Sequence, residues 1–168
     1  VFSPDGSVVV YVANHGNKAF VIIGDKKGEE FDGVGPPVFG PDGKTLAYVA
    51  SKDNKTFVVV GDKKGEEFNA VLHPTFSPDE NVVAYAAHKG DKMLIVVGDK
   101  KSEEFDGVDR PTFSSDGKIV AYVAYKGSKA FVVIGDKKGE EFDMVQWPTF
   151  SPDGKVVAYA AHKGGKVF

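Results

Sequence analysis

The stretch PTFSSDGKIVAYVAYKGSKAFVVIGDKKGEEFDMVQW, residues 111–147, holds four short strand-like segments separated by turns rich in Gly, Asp and Lys. The first segment ends in PTF at 111–113. The second, Lys118 to Ala124, and the third, Ala130 to Gly135, are apolar on both faces, which is typical of strands sandwiched between neighbouring sheets. The fourth, Glu140 to Val145, mixes polar and apolar residues, as an outer edge strand does. Since no segment has a helical apolar period, the stretch predicts four antiparallel strands.

The same pattern recurs every 37 residues along the chain. The phenylalanine of the first segment returns at Phe2, Phe39, Phe76, Phe113 and Phe150, and GDKKGEEF occurs three times, with GDKKSEEF once. Four periods fill 148 of the 168 residues, so the chain holds about four and a half units. We treat 1–168 as a single tandem-repeat domain, divided at about 1–36, 37–73, 74–110, 111–147 and a partial 148–168.

Four strands in about 40 residues, repeated in tandem, are the signature of β-propeller blades. One small sheet cannot bury two apolar faces, and neighbouring sheets in a propeller cover them. We therefore predict an all-β fold, a β-propeller built from 37-residue four-stranded antiparallel blades. A β-solenoid is the structural alternative, although its coils are usually shorter and its turns less like hairpins.

Composition excludes several classes of function. The net charge is −3, with acidic and basic residues interleaved, so the chain lacks the basic face expected of a nucleic-acid-binding protein. The absence of cysteine excludes disulfides, thiol catalysis and cysteine–zinc sites. No apolar run approaches the ~20 residues of a membrane span, which predicts no membrane insertion. The chain begins at Val1 rather than Met, which we interpret as a processed protein or a fragment.

The string FSPDGKVVAYAA, from Phe150 to Ala161, resembles the TolB-type propeller repeat, whose core reads aromatic-Ser-Pro-Asp-Gly-Lys before an apolar strand. The motif recurs as FSPDG, FGPDG, FSPDE and FSSDG in the other units, with Glu80 in place of the turn Gly and Ser115 in place of the turn Pro. The resemblance implies a scaffold propeller, periplasmic or extracellular in location. Propellers of that family usually close with more blades than this chain supplies.

The chemistry-bearing residues show no catalytic or metal-binding pattern. The four histidines, His15, His73, His88 and His162, lie at no spacing that brings zinc ligands together. The Asp of each SPDG turn is expected to accept backbone hydrogen bonds rather than to bind calcium. The sequence contains neither a phosphate-binding loop nor a GxSxG nucleophile motif. We therefore predict that the chain is not an enzyme and has no metal site or cofactor.

Differences between the units are concentrated in two places. One follows the fourth strand: Gly35-Pro36, Leu72-His73, Asp109-Arg110 and Gln146-Trp147. The other is the turn between the second and third strands, which includes His88 and Tyr125. Both places would emerge on one face of an up-and-down blade, and we predict that this variable face binds a protein, peptide or glycan. The alternative is that exposed loops vary because little constrains them. The candidate binding residues are Trp147, Arg110, His73, Tyr125, His88, Gln146 and Asp109.

Trp147 is the only tryptophan of the chain. If adjacent blades align, it lies beside Gln146 and near Tyr125, and could form a recognition patch with Arg110. Trp, Tyr and Arg are the residue types enriched at the energetic centres of interfaces. The alternative is that Trp147 packs at the rim of the central channel.

The two ends of the chain cover nearly the same part of the unit, at 1–20 and 149–168. Three arrangements are consistent with this: a segment of a longer propeller, two chains that share blades in one ring, or blades that pair head to tail in a filament. Our second hypothesis is therefore a structural, self-assembling protein with no small-molecule ligand. A terminal blade without a neighbour exposes an apolar face, so we expect self-association through the end blades unless the ring is closed.

Overall fold

The computed structural model describes residues 1–79 and 82–168, so the substitution at Glu80 lies outside the described residues. In these ranges all helix or strand structure is β, and no helix of the length and apolarity needed to span a bilayer is present. The described strands are β1 (Val10–His15), β2 (Lys18–Ile23), β3 (Lys26–Lys27), β4 (Gly33–Val34), β5 (Val38–Phe39), β6 (Leu46–Lys52), β7 (Lys55–Val60), β8 (Lys63–Lys64), β9 (Ala70–Phe76), β10 (Val83–Lys89), β11 (Lys92–Val97), β12 (Lys100–Lys101), β13 (Gly107–Val108), β14 (Thr112–Phe113), β15 (Val120–Lys126), β16 (Lys129–Ile134), β17 (Lys137–Lys138), β18 (Met144–Val145), β19 (Thr149–Phe150), β20 (Val157–Ala158), β21 (Ala161–Lys163) and β22 (Lys166–Val167).

The strands form successive antiparallel sheets, which we number I to V in chain order. Sheet I contains β1–β3, sheet II β4–β8, sheet III β9–β12, sheet IV β13–β17, and sheet V β18–β22 in two hydrogen-bonded pieces. In sheets II and IV the first strand is split into two halves, and both halves pair with the long second strand. In sheet III the first strand, β9, is continuous, with a register shift opposite Ala84 to Ala86. The predicted order of four antiparallel strands per repeat is thus present in sheets II to IV.

The chain passes from one sheet to the next earlier than the sequence predicted. The segment Glu140 to Val145 is not a fourth strand: β17 and a single bridge between Phe142 and Ala130 complete sheet IV, whereas β18 already belongs to sheet V. Sheets II to V accordingly begin at residues 33, 70, 107 and 144, four residues before the repeat boundaries at 37, 74, 111 and 148.

An aspartate carboxylate at the connection between two sheets explains where that connection lies. Asp106, between sheets III and IV, accepts a hydrogen bond from Lys92 Nζ of sheet III at 2.5 Å and from the backbone N–H of Gly127 in sheet IV at 2.6 Å. Asp143 repeats this geometry with Lys129 and Gly164. Exposed ion pairs contribute little free energy. The bond to the turn N–H, however, fixes how each sheet enters the next.

Aromatic side chains fill the space between adjacent sheets. Phe105, at the outer edge of sheet III, is 3% exposed, and its ring lies 6.2 Å from that of Tyr122 and 5.8 Å from that of Phe131, both in sheet IV. The equivalent pairs across the other interfaces are Phe31 with Tyr48, Phe68 with Tyr85, and Phe142 with Tyr159. The first five residues of β10 and of β15 are all buried. The prediction that the second strand is sandwiched between two sheets is therefore confirmed in sheets III and IV.

The repeated Ser and Asp of the SPDG motif form a closed turn. Ser114 Oγ donates to Asp116 Oδ1 at 2.7 Å and accepts from the backbone N–H of Ile119 at 3.0 Å. Ser3, Ser77 and Ser151 make the same bond to the Asp two residues later. The hydrogen bond from Ser114 is the main reason why the pKa of Asp116 is lowered. The motif is explained by turn structure, as its sequence predicted.

We expect Ser114→Ala to lower the free energy of unfolding by about 1–2 kcal/mol, because both hydrogen bonds of a buried hydroxyl are lost. Urea denaturation followed by circular dichroism measures this change. Ser128→Ala, in an exposed turn of the same sheet, is the matched control and should leave the midpoint unchanged. Equal effects of the two substitutions would contradict a structural role for the Ser–Asp turn.

Candidate binding groove

The first strands of sheets II to V border a single open groove of about 980 Å³. Its walls consist of glycine, valine, leucine, phenylalanine, proline and threonine residues of these repeats, together with Trp147 and two ionisable side chains, His73 and Arg110. In these repeats the variable residue immediately before a proline lines the groove: Pro36, His73, Arg110 and Trp147.

The prolines explain why these residues face the groove. Proline has no N–H for the strand ladder, and it disfavours helical geometry in the residue before it. The first strands of sheets II and IV are broken at this point, between β4 and β5 and between β13 and β14. In sheet III the same position is held by His73 with a positive φ of 54°, which is uncommon for a residue other than glycine. The residue before the proline is thereby displaced from regular pairing.

The assignment of these variable pairs to the link between sheets is wrong. Leu72 and His73 lie inside β9, and Asp109 and Arg110 lie between β13 and β14. The segments that link the sheets are the nearly constant FDG, FNA and FDM, which the buried Phe and the Asp or Asn after it hold in place. One of the two variable places therefore lines the groove, and the other forms the turns at the ends of the second strands.

Four of the candidate residues form one contact network, which we call the Trp–Arg cluster: Asp109, Arg110, Tyr125 and Trp147. The guanidinium of Arg110 lies 4.3 Å from the centre of the Trp147 ring. Asp109 Oδ2 accepts a hydrogen bond from Tyr125 OH at 2.9 Å and from Trp147 Nε1 at 3.2 Å. Although it is held from both sides, Trp147 keeps 59% of its surface exposed. The cluster thus presents a fixed indole and a fixed cation to solvent.

Burial, together with the hydrogen bond and the negative charge of Asp109, raises the pKa of Tyr125 to about 12. The phenol therefore stays protonated and donates to Asp109 throughout the neutral pH range. Because the same Asp109 oxygen orients the indole, Tyr125 acts on Trp147 through Asp109. The second strand of sheet IV is in this way coupled to the first strand of sheet V.

We expect Asp109→Asn to lower the pKa of Tyr125 from about 12, because the neutral amide no longer disfavours the phenolate. The shift remains incomplete, since burial of the phenol persists. An NMR titration of ring carbons in tyrosine-labelled protein measures it. Asp91→Asn removes one negative charge from an exposed turn of sheet III and should leave the pKa of Tyr125 unchanged. An unchanged Tyr125 pKa in Asp109→Asn would contradict the coupling.

The remaining candidate residues lie apart from this network. Gln146 is exposed and, with Val145 and Trp147, borders a separate recess of about 300 Å³. His88 is half-buried at the end of β10 and is not among the groove residues. It occupies the position of Tyr125 one repeat earlier, where the counterpart of Asp109 is Leu72. Leucine cannot accept the hydrogen bond, so sheet III has no equivalent of this interaction.

The comparison between repeats did not identify several residues that line the groove. Thr75, Thr112 and Thr149 line the groove, as do Phe76 and Phe113. These residues are the same in successive repeats, and a comparison of repeats detects only what changes. Within the described ranges, no three His, Asp or Glu side chains are grouped closely enough to hold a metal ion.

No protein-family model and no curated protein matches the chain. Solved structures do match. Oligogalacturonate lyase in complex with manganese aligns with a TM-score of 0.55 and 13% identity, over 89% of this chain and 52% of that one. The β-propeller domain of the Trilobed protease from Pyrococcus furiosus, described as having an open velcro topology, aligns with a TM-score of 0.53 and 20% identity, over 80% and 56%. The Dos1 propeller gives 0.51 and 12%, over 90% and 46%.

The first of these structures contradicts the prediction that the chain is not an enzyme. That prediction was based on the absence of recognisable catalytic motifs, whereas oligogalacturonate lyase is an enzyme on the same kind of fold. A propeller of such repeats therefore does not exclude catalysis. At 13% identity the likeness transfers no lyase activity to this chain.

The likeness shows the fold alone, and the chain spans about half the length of the structures that it matches. Two of them are propellers by description. Together with the all-β architecture of successive antiparallel sheets, they confirm the predicted fold class. Sheets I to V are consecutive blades of a β-propeller.

Proposed function

We propose that this chain is a propeller scaffold that binds a protein, peptide or glycan in the groove between its first strands, with Trp147 and Arg110 as anchors. One observation carries the proposal: the only tryptophan and the only arginine of the chain are in cation–π contact in one groove of about 980 Å³. Trp and Arg dominate the energetic centres of interfaces. A volume of about 980 Å³ is at the upper end of the range typical of ligand sites.

The Trp–Arg cluster is also organised before any ligand binds. Exposed indole and guanidinium groups ordinarily lose rotational freedom on binding, and this loss weakens affinity. Here Asp109 already holds the indole N–H, and the indole holds the guanidinium by cation–π contact. A ligand therefore binds side chains that are already fixed in the folded protein, so binding costs little further conformational entropy.

The test is a paired screen of peptide and glycan arrays with the native chain and with the double variant Trp147→Ala, Arg110→Ala. We expect ligands that bind the native chain to lose affinity by about tenfold or more in the double variant. Lys137→Ala, on an exposed outer strand, is the matched control and should retain binding. Ligands that bind both variants equally would remove the groove from consideration.

A second candidate function, self-assembly, is favoured by the end sheets. Tyr11 is 47% exposed, whereas the equivalent Tyr48, Tyr85 and Tyr122 are at most 8% exposed, because a phenylalanine of the preceding sheet covers each of them. At the other end, Phe168 is 66% exposed. Within residues 1–168 the outer faces of sheets I and V therefore expose apolar side chains, which a neighbouring sheet of this chain or of a second copy could cover.

We expect the 168-residue chain to sediment as an oligomer at low micromolar concentration, because association removes these faces from water. Tyr11→Lys places a charge on the exposed face and should shift the chain toward the monomer. Ser128→Lys, in a turn away from the ends, should not. A native chain that sediments as a stable monomer would exclude this function.

A further inference from the structure

We infer that the occupant of the groove is an extended peptide that carries a carboxylate, bound by Arg110 and His73, with an apolar neighbour packed on Trp147. The inference rests on the proposed binding function and specifies its ligand. It follows from the charges of the groove, from the nature of its walls and from the free edges of the first strands.

The charge of the groove is opposite to that of the chain. The protein carries 24 acidic residues and a net charge of −3, yet among the described residues no carboxylate side chain lines the groove. Its ionisable side chains are the guanidinium of Arg110 and the imidazole of His73. Charge complementarity therefore favours an anionic group on the ligand.

Arg110, the only arginine of the chain, makes no ion pair with an acidic residue among the described residues. The ion pairs among the described residues are all made by lysines. Asp109, its neighbour in sequence, directs one carboxylate oxygen to Tyr125 and Trp147 instead. The cation–π contact with the indole leaves the N–H donors of the guanidinium available to a further acceptor. That planar fork matches a carboxylate in a two-point contact, which is the geometry that a lysine ammonium lacks.

The walls favour a peptide over a glycan. Sugar hydroxyls desolvated in a groove need hydrogen-bond partners, and an unsatisfied polar group costs free energy. The described groove residues include no Asp, Glu, Asn or Gln side chain that could pair with successive hydroxyls. The walls offer valine, phenylalanine and proline surfaces instead, which suit apolar side chains.

The edges of the first strands add a main-chain recognition surface. β9 lies at the end of sheet III, where it pairs with β10 alone, and β13 and β14 likewise pair only with β15. Backbone groups on their other side have no partner strand in the described sheets. An extended peptide binds such an edge through its own backbone, while its side chains occupy the groove.

The experiment selects binders from a random linear-peptide display library on the immobilised chain, with a glycan array screened in parallel. We expect the selected peptides to be enriched in Asp or Glu beside an apolar residue, and to quench or shift the fluorescence of Trp147, the sole indole. Arg110→Ala should weaken their affinity by about tenfold or more, because a charge-assisted hydrogen bond is lost. Arg110→Lys should recover only part of that affinity. Lys137→Ala, the matched control, should lose none.

Charge reversal keeps the test decisive whatever the intrinsic affinity. A parallel selection on Arg110→Glu, with folding verified by circular dichroism, should yield peptides enriched in Lys or Arg instead of acids. Peptides without any acidic enrichment, or binding by glycans only, would overturn the inference and leave the groove function intact if Trp147→Ala still abolishes binding. A chain that selects neither peptides nor glycans would overturn both the inference and the proposed function.

Discussion

Phe105→Ala is expected to lower the free energy of unfolding by about 3–5 kcal/mol. The ring is 3% exposed and contacts Tyr122 and Phe131 of the next sheet, so its loss opens a cavity between sheets III and IV. Equilibrium denaturation in urea, followed by circular dichroism, measures the change. The site lies in the middle of the array, where neighbouring sheets on both sides hinder collapse of the cavity.

Two controls distinguish the loss of packing between sheets from the general effect of removing an aromatic ring. Phe2→Ala removes a ring that is 69% exposed and should change stability by only a few tenths of a kcal/mol. A double-mutant cycle of Phe105→Ala with Tyr122→Ala should show a coupling of about 0.5–1.5 kcal/mol for the edge-to-face pair. A loss below about 1 kcal/mol in Phe105→Ala would contradict its assignment as the link between sheets.

Gly117→Ala is the second substitution with a large expected effect, about 2–4 kcal/mol of lost stability. Gly117 has a φ of 72°, where a side chain is disfavoured, and a Cβ would lie 2.9 Å from Asp79 Oδ1 in the turn of sheet III. Asp79 cannot easily move, because the buried Ser77 hydroxyl donates to that same oxygen at 2.6 Å. The substitution therefore strains the backbone and forces two turns apart.

Gly127→Ala isolates the backbone part of this effect. Gly127 also has a positive φ, 57°, but no atom lies within 4 Å of the position that its Cβ would take. It should cost about 1–2 kcal/mol, the left-handed conformation alone. Thermal or urea denaturation of both variants tests the difference. If Gly117→Ala is no worse than Gly127→Ala, the turns of sheets III and IV do not constrain each other.

The fold could be predicted from the repeat because each of its cues is local. The apolar run of 120–124 indicates a strand buried on both faces, and the Ser–Asp–Gly turn at 114–117 indicates a hairpin. Both features are present, with Ser114 bonded to Asp116 and Gly117 at positive φ. Membership of the TolB-type family remains a prediction.

The connection between consecutive sheets could not be located from the local sequence pattern. Residues 140–145 read as one strand, but Phe142 closes sheet IV and Met144 opens sheet V. The deciding contacts, from Asp143 to Lys129 and to Gly164, join residues 14 and 21 positions apart. Sequence adjacency carries no information about such contacts.

The candidate binding site was likewise predictable only in part from the sequence. Variation between repeats singled out Asp109, Arg110 and Trp147, since one sequence with internal repeats contains its own comparison. Their position inside the first strand, facing a groove, was not predicted, because the proline that displaces them acts through a ladder that only the folded sheet possesses.

By itself the sequence determined the 37-residue unit, its two long apolar strands, its Ser–Asp–Gly turn and the residues in which the units differ, because strand periodicity and turn chemistry act over a few residues. The tertiary structure alone decided where one sheet ends and the next begins, and that Asp109 accepts hydrogen bonds from Tyr125 and Trp147. It also decided that Arg110, His73 and Trp147 share one groove without a carboxylate among its described residues. These features depend on the packing of one repeat against the next, and that geometry is set by side chains far apart in the chain.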